Sequence, residues 1–406
     1  MKRESLKTLA FLGVAAALVA AAVWVEPEAR KSAIFSDQGE ALFPALKDPL
    51  AVRAIEVVDY DEEEAVARPF KVEMRKNRWV LSSHNDYPAE ARDRLAKTAG
   101  AFVDLKKDIT VSDRIEDHGR YGVIDPLDAK VASLAGRGKR VTLRNSHNEV
   151  LADFILGHSL KERAGYRYLR LSGQKRTYAV KADADPSARF EDWVESNLLR
   201  LSSADLKRIT VNTYQVQEQI GRLTNVERTV LIRDKDNWSV EGGGNVNAGV
   251  VRIMVSVLGG LRVVGARPKP ASLAEALKNR QPLQMSLETV MSLRQRGFFI
   301  SPDGRLLANE GELLVETNNG VTYALRFGEI SGAGEGKPAP AKEGTPKTAA
   351  AENRYLFVSA SARRDGASEQ AGQTARNLDA KFADWYYIIS GADFAKLRVR
   401  RQDLIR

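Results

Sequence analysis

The sequence of 406 residues contains no cysteine and only four histidines. The absence of cysteine excludes disulfide bonds, thiolate zinc sites, thiol nucleophiles and acylation of a cysteine. No histidine lies three or four residues from another, so the helical ligand pair of many metal sites is also missing. The histidines are His84, His118, His147 and His158. We therefore expect neither thiol chemistry nor a metal centre.

Common catalytic and nucleotide-binding motifs are missing as well. Gly157-His158-Ser159 begins like a nucleophile elbow, but Lys161 occupies the position of the second required glycine. Gly242-Gly243-Gly244 is followed by residues that fit neither the dinucleotide-binding pattern nor the P-loop. The acidic run Asp59–Glu64 lacks the spacing and central glycine of a calcium loop, so it predicts a solvated hairpin turn. The sequence therefore predicts no catalytic, cofactor-binding or metal-binding residue.

One long apolar run is present, and it lies at the N-terminus. Thr8–Val25 is free of charged residues, and as a helix it would rise about 27 Å, close to the thickness of a bilayer core. Basic residues precede the run and acidic residues follow it. The positive-inside rule therefore predicts that residues 1–27 are a cytoplasmic tip and single-pass inner-membrane anchor, with the bulk of the chain periplasmic. Cleavage as a signal peptide at Ala20–Ala22 is the alternative, although the apolar run continues past that site.

Beyond a predicted linker at 28–53, the chain repeats itself. Trp79 and Trp238 each lie on the second strand of a predicted hairpin, and a predicted helix follows each hairpin. Pro88 suits the first position of the first of these helices. Gly100 and Gly259 both come 21 residues after these tryptophans. The further matched segments are Gly157 with Gly328, residues 167–171 with 354–358, residues 190–193 with 382–385, and residues 204–206 with 392–394.

These matches predict an α+β fold of two tandem copies, each built from antiparallel hairpins and packed helices. The first copy covers residues 54–201 and the second covers residues 202–406. The second copy is longer because it contains a predicted helix at Leu273–Asn279 and the tract 331–353. That tract is rich in Ala, Gly, Pro, Lys and Glu and has no apolar periodicity, so it predicts a disordered surface insertion.

At these positions the chain resembles the bacterial family known as domain of unknown function 4340. The resemblance is carried by the Trp79 strand, the Tyr121–Pro126 step, Gly157 followed by Tyr168, Trp193, and the run from Gly297 to Ile330. It implies a membrane-anchored, extracytoplasmic protein without an assigned reaction. Some similar proteins are encoded beside transport permeases and gliding-motility auxiliary proteins, and the resemblance implies no catalytic residues.

Three functions are compatible with these observations. The first is a non-enzymatic membrane-anchored auxiliary or scaffold protein of an ABC-type transport or envelope assembly, with protein partners. The second is a periplasmic binding module for a glycan, peptide or lipid, with a pocket expected between the two copies that is lined by aromatic residues and a few polar groups. The third is a hydrolase whose site is assembled from distant residues, for which Ser159, His158, Asp183 and Asp185 are the first candidates.

The charge of the chain gives less specific information. The net charge is +9 at pH 7, and it is dispersed, which is typical of an ordinary solvated surface. Attraction to anionic lipid headgroups or an anionic polymer is the alternative. The C-terminal stretch Lys396–Arg401 alternates basic and apolar residues and, as a strand, would present one basic face. Nucleic acid is not expected as a partner because of the predicted location, and the sequence identifies no small-molecule ligand.

Overall fold

The computed structural model describes residues 37–182, 184–195, 197–217, 222–282, 286–332, 352–363 and 368–405. The predicted anchor at 1–27 and residues 333–351 of the predicted insertion lie outside these ranges. Among the described residues, no helix is long and apolar enough to cross a membrane. The chain divides into two compact units, Met1–Met74 with Arg92–Ala188, and Arg75–Ala91 with Arg189–Arg406. The predicted copies at 54–201 and 202–406 stay a prediction.

The first half of the described chain is built mainly from antiparallel strands. The strands are β1 (Ala54–Asp61), β2 (Val66–Arg75), β3 (Arg78–Leu81), β4 (Tyr87–Pro88), β5 (Ile109–Ser112), β6 (Lys139–Arg144), β7 (Val150–Ser159), β8 (Tyr166–Leu171) and β9 (Thr177–Lys181). The helices are α1 (Arg92–Gly100) and α2 (His118–Tyr121). Strands of the first unit follow the order β2-β1-β6-β7-β8-β9-β5, and every neighbouring pair is antiparallel.

Apolar spacing explains the core of the first unit. Ile55 and Val57 lie two residues apart on β1, so they point to one face of the sheet, and both are fully buried. Leu95 and Ala99 lie four residues apart on α1 and are also buried. Phe154 on β7 lies at the centre, with its ring centroid 4.7 Å from that of Phe102. The predicted period-2 and helical patterns therefore meet in one core.

The second unit contains an eight-stranded sheet and most of the described helices. Its later strands are β10 (Leu206–Gln217), β11 (Arg222–Asp234), β12 (Asn237–Val240), β13 (Val263–Pro268), β14 (Phe298–Ile300), β15 (Leu306–Ala308), β16 (Glu312–Thr317), β17 (Val321–Ile330), β18 (Arg354–Ala362) and β19 (Trp385–Ile389). Its helices are α3 (Ala248–Gly259), α4 (Ala271–Asn279), α5 (Leu287–Arg294), α6 (Glu369–Ala383), α7 (Gly391–Leu397) and α8 (Arg401–Leu404). The sheet order is β12-β11-β10-β16-β17-β18-β19-β13.

The two units share one strand order. Each strand of the first unit has a counterpart at the same place in the second sheet. The counterparts are β1 with β10, β2 with β11, β5 with β13, β6 with β16, β7 with β17, β8 with β18 and β9 with β19. The register is also interrupted at corresponding points. β7 shifts against β8 between Leu156 and Ser159, and β17 shifts against β18 between Phe327 and Ile330. Gly157 and Gly328, which the sequence comparison of the two copies pairs with each other, lie in these two interruptions.

Several local predictions require correction. Pro88 does not begin a helix, because it pairs with Val80 in β4 and α1 begins only at Arg92. Residues 190–193 do not correspond to 382–385, because the former follow β9 whereas the latter end α6 and begin β19. Lys396–Arg401 is not a strand, because it joins the end of α7 to the start of α8. The predicted helix at Leu273–Asn279 is confirmed as part of α4.

Candidate functional site

Two of the four hydrolase candidates lie together in the first unit. Ser159 and Asp185 line a shallow depression of about 150 Å³ at the ends of β7, β8 and β9. Arg167 of β8 lines the same depression. Asp183 lies outside the described residues. His158 is not part of this lining, and its ring packs instead against Gly122.

The partners of Asp185 are cations. Its carboxylate lies 2.7 Å from Nζ of Lys139 and 3.5 Å from Nη1 of Arg167. The Arg167 guanidinium also donates to the carbonyl oxygen of Gly157 at 3.0 Å, which fixes its plane. In the part of the chain that the structure describes, the Ser159 hydroxyl has no histidine or carboxylate within hydrogen-bond reach. Among the described residues that line it, the depression therefore offers no nucleophile–base pair of the kind that covalent hydrolysis needs.

His118 and His84 lie in packed surroundings, whereas His147 is exposed in the turn between β6 and β7. His118 shares a 2.7 Å hydrogen bond with the carbonyl of Lys175, and burial lowers its pKa. His84 packs against Phe190 with ring centroids 5.4 Å apart. Burial, followed by the nearby charge of Arg267, lowers the pKa of His84 to about 4. Across the described ranges, no group of three or more His, Asp or Glu residues is placed to hold a metal ion.

The tryptophans differ from one another in burial. Trp193 is fully buried, whereas Trp79, Trp238 and Trp385 are half-buried. The ring of Trp385 lies edge-on to Tyr87 at a centroid distance of 4.8 Å, within the second unit. Of these four tryptophans, Trp193 alone is therefore completely packed into a core.

A charged cluster that sequence analysis missed fixes the first described residues to the sheet of the first unit. We call Asp37, Glu40, Lys107, Arg176 and Tyr178 the entry clamp. Asp37 accepts hydrogen bonds from Arg176 at 3.0 Å and from the Tyr178 hydroxyl at 2.6 Å. Lys107 lies 3.2 Å from Asp37 and 2.9 Å from Glu40. The clamp therefore joins the start of the described chain to residues that are distant in sequence.

Electrostatics favour the charged form of the carboxylate in the clamp. Burial acts to raise the pKa of Asp37, but hydrogen bonds from Tyr178 and Lys107 outweigh it. The positive charges of Lys107 and Arg176 act in the same direction, so the pKa of Asp37 is lowered. Burial and the bond to Asp37 raise the pKa of Tyr178, which remains a neutral donor at physiological pH. The cluster is thus a paired, hydrogen-bonded network.

Apolar contacts strengthen the same attachment. Leu42, Phe43 and Leu46 are all buried, and the ring of Phe43 lies 4.9 Å from that of Phe154. The backbone nitrogens of Gly39 and Leu42 donate to the carbonyls of Lys107 and Leu105. Residues 37–53, which the sequence analysis assigned to a linker at 28–53, are therefore packed into the first unit.

A second missed feature is a buried lysine in the second unit. Lys269 follows β13, is only 5% exposed, and donates from Nζ to the carbonyl oxygen of Phe382 at 2.9 Å. Its Nζ lies 3.9 Å from the centre of the Phe357 ring. Burial lowers the pKa of Lys269 to about 7, although Asp379 and Asp384 oppose the shift. A neutral amine is a nucleophile, but the enclosure of Lys269 leaves no room for a substrate.

These observations define a class of protein: a mixed α+β chain of two large antiparallel sheets. Among the residues that the structure describes, the candidate side chains form structural contacts and do not assemble a catalytic set. The family model described as "Domain of unknown function (DUF4340)" matches residues 79–279, and the chain resembles that family. The resemblance predicted from the sequence is therefore confirmed. No curated protein and no solved structure matches the chain.

Proposed function

We propose that this chain is a non-enzymatic, membrane-anchored, extracytoplasmic auxiliary or scaffold protein. Residues 1–27 would form the cytoplasmic tip and anchor, and the rest of the chain would bind protein partners in an ABC-type transport or envelope assembly. The observation that carries the proposal is the entry clamp. Residues 26–36 are the only ones between the apolar run and Asp37, and a chain of that length spans at most about 40 Å. The clamp would therefore hold the first unit close to the bilayer.

We further propose that the two units arose as tandem copies of one α+β unit. Their common strand order and their matched register shifts support this proposal. A repeated sheet supplies two related surfaces on a single membrane anchor, which suits a protein that holds partners in place.

The depression beside Ser159 is a poor candidate for the pocket of a small-molecule binding module. Pockets for small molecules usually measure about 300–1,000 Å³ and are largely apolar. The depression beside Ser159 measures about 150 Å³, and Asp185 in its lining forms an ion pair with Lys139. A glycan or peptide would have to displace this pair without a comparable apolar surface to bury.

Membrane topology provides the first test of the proposal. Because the chain has no native cysteine, each introduced cysteine is the only labelling site. Val226 is 62% exposed on β11, so Val226→Cys should react with a membrane-impermeant maleimide in intact spheroplasts. Lys2→Cys, the matched control on the proposed cytoplasmic side, should react only after lysis. Labelling of Val226→Cys only after lysis would contradict the proposed location.

Retention and partnership need separate measurements. The chain should remain in the membrane pellet after an alkaline wash, whereas cleavage at Ala20–Ala22 would release it into the soluble fraction and contradict the anchor. In mild detergent, we expect the protein to co-purify with other envelope proteins. A monodisperse monomer without a partner would count against the auxiliary role while leaving the topology unaffected.

A further inference from the structure

We infer that the first unit lies on anionic lipid headgroups through a small surface formed by Lys47, Leu50 and Lys97, which we call the contact surface. This inference rests on the proposed membrane anchor, and it adds the orientation of the unit on the bilayer. It commits to a lipid surface as the occupant. A protein partner at the same place is an outcome that would overturn it.

Leu50 is held out into solvent by a rigid turn. The residue is 63% exposed and lies in the 3-10 helix Pro49–Ala51. The side chain of Asp48 caps this helix by accepting a hydrogen bond from the Leu50 nitrogen at 2.8 Å. Arg53 donates to the carbonyl oxygens of Leu50 and Val52. An apolar side chain that is fixed in this way loses little conformational freedom when it enters the headgroup region.

Helix α1 adds a second cation to this turn. Pro49 lies beside Gly100 at the end of α1, and the 3-10 helix packs on α1 there. Lys97 precedes Gly100 by three residues, so it lies on the same side of the helix. Lys47 and Lys97 are both exposed, and neither takes part in an ion pair with any residue that the structure describes. Both ammonium groups are therefore available to lipid phosphates, while their methylene stems extend the apolar surface.

The opposite end of the unit carries the opposite charge. Strand β1 begins at Ala54, close to Leu50 in the chain, and ends at Asp61. The strand spans roughly 24 Å at about 3.4 Å per residue. The turn that follows exposes Glu62, Glu63 and Glu64. An anionic membrane attracts the lysine end and repels the glutamate end, so one orientation of the unit is favoured.

The short distance along the chain between the proposed anchor and the contact surface agrees with this orientation. Lys47 and Leu50 come about a dozen residues or fewer after Asp37 and Glu40 of the entry clamp. They belong to the same packed unit. The segment 26–36 reaches at most about 40 Å, so the contact surface stays within range of the bilayer that holds the anchor. The high local concentration allows a weak lysine-and-leucine contact to form where it would fail for a free domain.

The test uses single cysteines labelled with an environment-sensitive fluorophore on the full chain in vesicles. Leu50→Cys reports on the contact surface, and Val66→Cys is the matched control. Val66 is 48% exposed and lies at the glutamate end of the hairpin formed by β1 and β2, in the same unit as Leu50. In vesicles with anionic lipid, we expect a blue-shifted emission and strong quenching by spin-labelled lipid at position 50 only. Equal quenching at both positions, or emission typical of water at position 50, overturns the inference.

Two further arms identify the interaction. With Lys47→Glu and Lys97→Glu together, quenching at position 50 should fall several-fold in anionic vesicles and change little in zwitterionic ones. If position 50 is exposed in vesicles but protected in native membranes, the surface binds a protein and the inference is wrong. A chain that fails to float with the vesicles contradicts the anchor itself. A chain that floats but leaves position 50 in water contradicts the contact surface alone.

Discussion

At the scale of single residues, the buried Lys269 lowers the stability of the second unit. Its ammonium has one hydrogen-bond acceptor, the Phe382 carbonyl, and an aromatic neighbour in Phe357. The two carboxylates that favour its charged form already pair with other cations, Asp379 with Arg280 at 3.8 Å and Asp384 with Lys278 at 2.5 Å. Desolvation therefore dominates and lowers the pKa to about 7, so the folded protein prefers the neutral amine above that pH.

This preference predicts a pH-dependent gain in stability for Lys269→Met. The pKa falls from 10.5 in the unfolded chain to about 7 in the fold. The fold is therefore penalised as the pH drops from 10.5 towards 7, and the penalty is constant below that range. Relative to the wild type, Lys269→Met should gain several kcal/mol in free energy of unfolding between pH 10 and pH 7. Urea titrations at pH 6, 8 and 10 measure this change.

The same substitution has an opposing effect that is independent of pH. Methionine cannot donate to Phe382, so its carbonyl loses a partner at a cost of about 1–3 kcal/mol. At pH 10 the variant should therefore be no more stable than the wild type. Lys396→Met is the control, because Lys396 is exposed on α7 and its loss should leave the pH dependence unchanged. A stability difference between Lys269→Met and the wild type that stays constant from pH 6 to 10 would show that the lysine is not desolvated.

At the scale of secondary-structure elements, the entry clamp should control the order of the first described segment. Asp37→Asn removes the charge that Arg176 and Lys107 share. Amide exchange in residues 37–46 should accelerate about tenfold or more at neutral pH, since charged hydrogen bonds contribute about 1.5–3 kcal/mol. Exchange mass spectrometry of the N-terminal peptides measures this, and Asp185→Asn is the control because its ion pair lies elsewhere in the unit.

The clamp also has a defined pH dependence. Because the pKa of Asp37 is lowered in the fold, its contribution is present at neutral pH and is lost as the pH falls through the folded pKa, below 3.8. The difference in exchange between Asp37→Asn and the wild type should therefore shrink in acid. If exchange of residues 37–46 is unaffected by the substitution at pH 7, the apolar residues Leu42, Phe43 and Leu46 alone hold the segment.

The same elements show which parts of the structure could be predicted from the sequence. Helix α3 was predictable because Val251, Met254 and Leu258 repeat at helical spacing, and all three are buried. The start of α1 was not, because Pro88 suits both a first helical turn and a short edge strand, and pairing with Val80 decided the outcome. The entry clamp could not be predicted from the sequence, because Asp37 and Tyr178 are 141 residues apart and no local pattern links them.

Short similar strings were the least reliable basis for matching the two copies. Phe190-Glu191-Asp192-Trp193 and Phe382-Ala383-Asp384-Trp385 look alike, yet one is a 3-10 turn after β9 and the other joins α6 to β19. Strand order, which depends on long-range pairing, corrects the match because it makes β9 the counterpart of β19. Position 269 offered no signal either, because a lysine between two prolines is typical of an exposed loop.

At the scale of the whole molecule, the proposed duplication makes the two strand-interrupting glycines equivalent. Gly157 packs against the Tyr121 carbonyl and the Val123 side chain. Gly328 packs in the same way against the Arg296 carbonyl and the Phe298 ring. In both units, a loop backbone crosses a bulged strand at a point where a Cβ atom has no space.

Gly157→Ala and Gly328→Ala should therefore destabilise the protein to a similar extent. Overpacking of this kind costs about 1–3 kcal/mol, and more where the obstacle is a backbone carbonyl that cannot rotate away. Thermal unfolding measures the loss, and amide exchange should locate it in β7 and β8 for the first variant and in β17 and β18 for the second. Gly332→Ala is the control, because a Cβ there meets nothing within 4 Å and should shift stability by less than about 0.5 kcal/mol. A large effect at one glycine and none at the other would mean that the shared strand order does not extend to shared packing, and it would count against a common origin of the two units.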